Sequence, residues 1–134
     1  MAKTFTRWLP ALVLAMAVPV GAMAADAAAA AKQVATASAH AGMALGAADL
    51  KMAQTHLHHV VNCLAGPSGA GFDAAAGNPC KGMGQGAIVD AQGDAALEAR
   101  LHTALSQATA GLQATTLDSA HADAKQAMAT LQAG

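Results

Sequence analysis

Two cysteines, Cys63 and Cys80, stand at the ends of a glycine-rich segment between two long helical patterns. A structureless segment of that length is unusual in a compact domain unless something organises it. In an exported protein, two cysteines without a third indicate one disulfide. By the chain-entropy model, such a bridge contributes about 3 kcal/mol. The pair therefore predicts a loop that is strapped back onto the end of the first helix.

Export is indicated by the first two dozen residues. Two basic residues, Lys3 and Arg7, precede the apolar run 8–20, and small residues follow it. This order predicts a secretory signal peptide over residues 1–24, removed on export. The apolar run is shorter than the ~20 residues of a membrane-spanning helix. We therefore expect residues 25–134 to lie in a bacterial periplasm, with no stable membrane insertion after signal removal.

The first helical pattern is rich in Ala, Leu, Met, Gln and Lys and contains no proline. These residues are strong helix formers, and the apolar positions recur with helical period. Gly66 and Pro67 then provide a stop, because glycine takes a left-handed cap and proline cannot continue the helix. The pattern predicts one helix, helix A, over residues 26–65.

The second helical pattern follows a loop over residues 66–93, which is dense in glycine and contains Pro67 and Pro79. Asp94 supplies an N-cap, and Glu98 lies in the early turns, where an acid suits the helix dipole. Apolar residues then recur at three- and four-residue spacing, at positions 97, 101, 105, 108 and 112. The pattern predicts helix B over residues 94–132.

These elements predict an all-α protein, an antiparallel helical hairpin with a disulfide-strapped Gly-rich loop, in a single domain over residues 25–134. Two helices cannot bury all of these apolar stripes alone, so we expect a homodimer that forms a four-helix bundle. The alternative is a three- or four-helix monomer in which helix A or B breaks. The weak points for a break are Gly42, Gly46, Gly111 and the Thr115-Thr116 pair.

Composition excludes several classes of protein. The formal net charge is −1 and aromatic residues make up 2% of the chain, so neither a basic face nor stacking rings are available for nucleic acid. Glu98 is the only glutamate, and paired acids for acid–base catalysis are absent. The glycine-rich segments lack the residues of a nucleophile elbow or a phosphate loop. We therefore predict that the protein is not an enzyme.

Histidines carry the remaining chemistry. His56 and His59 stand at a spacing that points two imidazoles the same way from a helix, close enough to chelate one ion. In a continuous hairpin, His102 comes level with them, and Met52 lies on their face. Imidazole suits copper, nickel or zinc, and an added thioether favours copper. The sequence predicts a main metal site of His56, His59 and His102, with Met52 assisting.

A second pair of histidines, His40 and His121, also lies at the same height along the two helices of a continuous hairpin. This pair predicts a weaker metal site. It also keeps open a b-type haem electron carrier, since antiparallel bundles hold haem between facing histidines. The chain has no Cys-x-x-Cys-His sequence, which excludes covalent c-type attachment.

A different class of function also fits the histidines. His56 and His59 lie away from the apolar stripe of helix A, on a face that can be solvated or can pair with a partner. Histidines in the last turns also stabilise a helix C-terminus through its dipole. The alternative is therefore a non-catalytic structural or interaction module.

The block from His56 to Cys80, with its His-Leu-His-His, Asn-Cys-Leu and Asn-Pro-Cys phrases, resembles one in uncharacterised exported helical proteins of proteobacteria. A looser similarity is to small histidine-rich periplasmic metal-binding proteins, whose helices repeat His-Ala-x-x-Ala phrases like the one that begins at His40. That resemblance implies binding of divalent metals, copper among them, through helix-surface histidines. The histidines it implies are His40, His56, His58, His59, His102 and His121.

Overall fold

A computed structural model describes residues 20–134, and its secondary structure is entirely helical over that range. The elements are α1 (Val20–Leu45), α2 (Leu50–Ala65), a single 3-10 turn (Ala74–Ala76), α3 (Ala87–Asp90), α4 (Ala95–Leu112) and α5 (Leu117–Gln132). Most of the expected signal peptide, up to residue 19, lies outside the described residues. None of the helices described is both long enough and apolar enough to cross a membrane.

The four long helices form a bundle from one chain. Helix α1 packs on α2 and α5, and α4 packs on α5 and α2, so each long helix has two principal neighbours. The α1–α5 pair is antiparallel, since Gln132 near the end of α5 bonds Ser38 of α1, whereas His121 near its start bonds Ala47. The predicted all-α class is confirmed. One chain supplies four long helices, which cover one another's apolar faces without a second chain. The homodimer stays a prediction.

The prediction of a continuous helix A over 26–65 was wrong. The chain turns at residues 46–49, because Asp49 takes an extended conformation and its carboxylate accepts the Met52 N–H as a new N-cap, at 2.8 Å. The Ala47 carbonyl, freed at the end of α1, accepts the Nε2–H of His121 at 3.0 Å. The break therefore has satisfied polar groups on both sides.

Helix B over 94–132 was wrong for the same reason. It ends at Leu112 and restarts at Leu117, where the Thr116 hydroxyl caps the Ser119 N–H. The side-chain amide of Gln54, from α2, donates to the carbonyls of Leu112 and Ala114, both at 3.0 Å. Each break is thus held by a side chain from another helix. The predicted caps at Asp94 and Gly66 are confirmed.

Small residues dominate the interface between the helices. The largest fully buried apolar side chains include Leu57, Leu64 and Leu101, and each contributes about 1.5–3 kcal/mol by leaving water. Alanines fill the remaining core at Ala30, Ala37, Ala41, Ala44, Ala53, Ala104, Ala108, Ala120, Ala124 and Ala127. Their short side chains let the helices approach closely. A Cβ on Gly111 would lie 2.6 Å from Leu57 Cδ1, which marks a close contact between α4 and α2.

The predicted disulfide between Cys63 and Cys80 is confirmed. It joins the last turn of α2 to the segment 66–86, which we call the strap. Both cysteines are buried. A disulfide is typical of proteins in oxidising compartments, which agrees with an exported location. The predicted loop 66–93 is more structured than expected, because it contains the 3-10 turn and α3.

A second attachment ties the strap to α1. Gln33 of α1 is buried, and its amide donates to the Asp90 carboxylate at 2.6 Å and accepts the Gly86 N–H at 2.9 Å. The backbones of Gly66 and Gly86 cross at close range here, since a Cβ on Gly66 would meet the Gln85 carbonyl. The strap is therefore held by the disulfide on α2 and by the buried Gln33 of α1, which also bonds Asp90 of α3.

Candidate metal centre

Three histidines from α1 and α2 converge at the edge of the bundle. The Nδ1 atom of His40 lies 3.2 Å from Nδ1 of His56 and 3.3 Å from Nδ1 of His59. One potential ligand atom from each of the three side chains lies within 4.8 Å of the other two, and each side chain is half-buried. We call His40, His56 and His59 the histidine triad.

The turn at residues 46–49 creates this register. Helices α1 and α2 run antiparallel from it, so residues at equal distances from the turn face each other. His40 and His56 lie eight residues on either side of position 48. His59 then joins them because it lies three residues beyond His56, on the same helix face.

The spacing of the nitrogens suits one metal ion. Two imidazole nitrogens bound at about 2.0–2.1 Å to a tetrahedral zinc ion are separated by roughly 3.3–3.4 Å. The Nδ1 pairs at 3.2 and 3.3 Å come close to that separation. Three protein ligands leave a fourth coordination position for water or another donor. The triad can therefore hold a metal ion without a large rearrangement.

The hydrogen bond of His59 defines which of its nitrogens is free. Its Nε2 lies 2.8 Å from the Ala76 carbonyl, which can only accept, so Nε2 carries the proton. In the neutral ring, Nδ1 then presents a lone pair to His40. A ligating histidine characteristically donates its other N–H to a carbonyl or carboxylate, which fixes the ring and its tautomer. His59 has this arrangement.

A buried asparagine positions the carbonyl that orients His59. Asn62, one turn further along α2, accepts the Asp73 N–H at 2.8 Å and donates to the carbonyls of Asp73 and Gly77 at 2.7 and 2.6 Å. These bonds hold the 3-10 turn that contains Ala76. Gly77 follows with φ +89°, a conformation that glycine adopts without strain. The strap thus supplies the outer support of the triad.

The protonation of the triad also favours metal binding. Burial lowers the pKa of His40, and the neighbouring His59 and His56 lower it further. Burial also lowers the pKa of His56, with a second contribution from His59. Both shifts favour the neutral imidazole, the form that binds metals.

The structure brings together only some of the residues of the predicted main site. His56 and His59 do lie together, but their third partner is His40 and not His102. His102 is exposed on α4 and lies outside the triad. His58 is half-buried on α2 and also lies outside it. The reason is the break in helix A, which folds α1 back alongside α2. A continuous hairpin would instead have placed helix B beside these histidines.

The structure does not bring His40 and His121, the predicted second site, together. His121 Nε2 donates to the Ala47 carbonyl, whereas His40 faces the two histidines of α2. The two rings therefore do not face each other as axial ligands of a haem would. His121 supports the turn between α1 and α2.

Met52, the predicted assisting ligand, is exposed and lies one turn before His56 on α2. The two side chains line one surface depression with Asp49, Lys51 and Thr55. The thioether is thus near the triad on the solvent side.

Sequence reasoning missed the supporting roles of Asn62 and the Ala76 carbonyl. A signal was present, because Asn62 interrupts the apolar run that ends helix α2, and a buried amide must find hydrogen-bond partners. Ala76 carried no such signal, since its contribution is a backbone carbonyl.

Comparison of the chain with protein-family models, with curated proteins and with solved structures found no significant match in any of the three. The candidate metal centre therefore rests on the geometry of its own residues.

Proposed function

We propose that this is a periplasmic metal-binding or metal-buffering protein that binds one copper, nickel or zinc ion at the histidine triad. The observation that carries the proposal is the convergence of three Nδ1 atoms at 3.2 and 3.3 Å, separations that a single ion would span. The disulfide supports an oxidising compartment.

Proton balance within the triad explains why a metal ion is a suitable occupant. His59 Nδ1 has a lone pair, because its proton is on Nε2 facing Ala76. A hydrogen bond from His40 to His59 uses the single Nδ1 proton of His40, and that proton cannot serve His56 equally well. A cation accepts all three lone pairs at once. A bound metal ion therefore coordinates all three nitrogens, whereas one shared proton satisfies only some of their lone pairs.

The role is that of a binding protein and not of an enzyme. Among the residues that the structure describes, only the three neutral histidines converge at this position, and no carboxylate joins them to act as a general base. Imidazole nitrogens accept copper, nickel and zinc, so these are the metals to test.

The test is calorimetric titration of Cu(II), Ni(II) and Zn(II) into metal-free protein with its disulfide intact. We expect one ion per chain with micromolar or tighter affinity. His56→Ala should weaken binding by at least about 100-fold, since loss of outer-shell partners alone costs 10–100-fold. The matched control is His102→Ala, which removes an exposed imidazole from α4 and should leave affinity within two-fold.

Circular dichroism melting of both variants checks that they fold. Absence of binding by the unaltered protein, or equal loss in His56→Ala and His102→Ala, would contradict the proposal. That result would leave a structural or interaction module as the function. A Soret band in the purified protein would instead redirect the assignment to b-type haem.

A further inference from the structure

Methionines are distributed unusually in this bundle. Among the residues that the structure describes, the large apolar side chains most exposed to solvent are Met23, Met43, Met52, Met83 and Val89. The leucines within residues 20–134 are all buried or half-buried. Methionine in proteins usually fills irregular gaps in the core. Here Met43, Met52 and Met83 are 50%, 49% and 36% exposed, so filling the core does not explain them.

Two of these methionines lie one helical turn from triad histidines. Met43 follows His40 by three residues on α1, and Met52 precedes His56 by four residues on α2. At those spacings, side chains share a helix face with Cβ atoms about 5–6 Å apart. Because α1 and α2 are antiparallel, both thioethers belong to the side of the triad nearer the turn at 46–49.

The third methionine approaches from the strap. Met83 Sδ lies 3.6 Å from the hydroxyl oxygen of Thr36, which is one turn before His40 on α1. Met83 is therefore on the side of the triad away from the turn. Thioethers thus flank the three imidazoles at both ends, contributed by α1, α2 and the strap.

Thioethers distinguish between the candidate ions. A thioether is a soft, neutral donor that favours Cu(I), whereas zinc and nickel sites rely on imidazole, thiolate or oxygen donors. Methionine is also unbranched with three rotatable bonds, so its sulfur can move toward an ion without backbone motion. Each of these three side chains keeps between 36% and 50% of its surface in water.

We propose that the ion bound by this protein is copper in its cuprous state, with Met43, Met52 and Met83 as soft donors around the histidine triad. This inference rests on the proposed function and specifies its metal. The triad binds the ion, and a thioether fills the open fourth position. The other thioethers provide positions through which Cu(I) enters and leaves by ligand exchange, with no change in oxidation state.

The test compares Cu(I) with Zn(II) in a triple variant, Met43→Leu/Met52→Leu/Met83→Leu. Leucine keeps the size and apolar character of methionine but removes the sulfur. Cu(I) affinity is measured without oxygen by competition with a chromophoric Cu(I) chelator, bathocuproine disulfonate. We expect Cu(I) affinity to fall at least ten-fold in the triple variant and Zn(II) affinity to stay within two-fold.

Met128→Leu is the matched control. Met128 is half-buried on α5 against Gly42, away from the triad ligands, so its replacement should leave Cu(I) affinity within two-fold. X-ray absorption of the Cu(I) form should show sulfur scattering that the triple variant lacks.

The outcomes separate this inference from the proposed function. Unchanged Cu(I) affinity in the triple variant, or an equal fall for Cu(I) and Zn(II), would overturn the role of the thioethers and leave the triad as a metal site. Failure of the unaltered protein to bind Cu(I), Cu(II), Ni(II) or Zn(II) would instead overturn the proposed function itself.

Discussion

The two helical hairpins of the bundle, α1–α2 and α4–α5, are built alike, yet only one of them forms a candidate site. Each joins two alanine-rich helices through a four-residue turn, 46–49 or 113–116, and each second helix begins at a side-chain N-cap. Each hairpin also contains histidines. In α1–α2 three of them converge, whereas those of α4–α5 lie outside any such cluster.

His59 and His121 show what makes the difference. Both use Nε2 to bond a backbone carbonyl, at 2.8 Å to Ala76 and 3.0 Å to Ala47. Both rings are therefore oriented by a hydrogen bond to a backbone carbonyl. Only His59 presents its second nitrogen to other imidazoles, because the turn between α1 and α2 places His40 opposite it. Orientation alone does not make a ligand, and the register of the hairpin supplies the partners.

The largest expected effect on stability comes from removing the disulfide, which belongs to the α1–α2 side of the comparison. The Cys63→Ala/Cys80→Ala variant should lose about 3 kcal/mol in free energy of unfolding, measured by urea denaturation. Metal affinity should fall about 10–100-fold, because the strap that positions Ala76 loosens. Amide hydrogen exchange should increase more in the strap than in α4 and α5. Unchanged affinity would mean that the strap does not support the triad.

Two glycines test the packing of the two hairpins. Gly111→Ala in α4 should destabilise the protein by about 1–3 kcal/mol, because its Cβ would lie 2.6 Å from Leu57 Cδ1 in a closed core. Gly42→Ala in α1 should stabilise it by up to about 1 kcal/mol. There the new Cβ would lie 3.5 Å from Met128 Sδ, which is ordinary contact. Thermal melting measures both, and the same sign for both would contradict this description of the core.

His121→Ala separates a structural histidine from a ligating one. The Ala47 carbonyl would lose its donor, which should cost about 0.5–1.5 kcal/mol of stability. Metal affinity should stay within two-fold, since His121 is outside the triad. His59→Ala is the counterpart, and it should abolish tight binding. Urea denaturation and calorimetry on both variants give the comparison. Loss of affinity in His121→Ala would place this residue in the site.

The smallest expected effect is on the pH dependence of the metal-free protein. Burial and the neighbouring histidines lower the pKa of His40 and His56 below the ordinary value of 6.5. The unfolded chain therefore takes up protons at a higher pH than the folded chain, so stability should decline as pH falls from 7 toward 5. The slope of unfolding free energy against pH should be shallower in His40→Ala than in the unaltered protein. An equal slope in both would contradict the assignment.

Features that depend on a few neighbouring residues could be predicted from the sequence. The caps at Asp94 and Gly66 follow from residue type beside an apolar period, and both are confirmed. The disulfide follows from the presence of two cysteines and no third, and it is confirmed. The pairing of His56 with His59 follows from helical spacing alone. The breaks themselves had local signals, Gly46 before Asp49 and Gly111 before Thr116, but these also fit a tolerated glycine inside a helix.

The sequence by itself thus determined the helical class, the strapped loop and two of the three triad histidines. Only the tertiary structure decided that helices A and B break. That break also decided which histidine completes the triad. The physical reason is the range of the contacts. The first turn is held by His121, 74 residues from Ala47, and the second by Gln54, 58 residues from Leu112. No local pattern contains such a contact, and the register of the site depends on it.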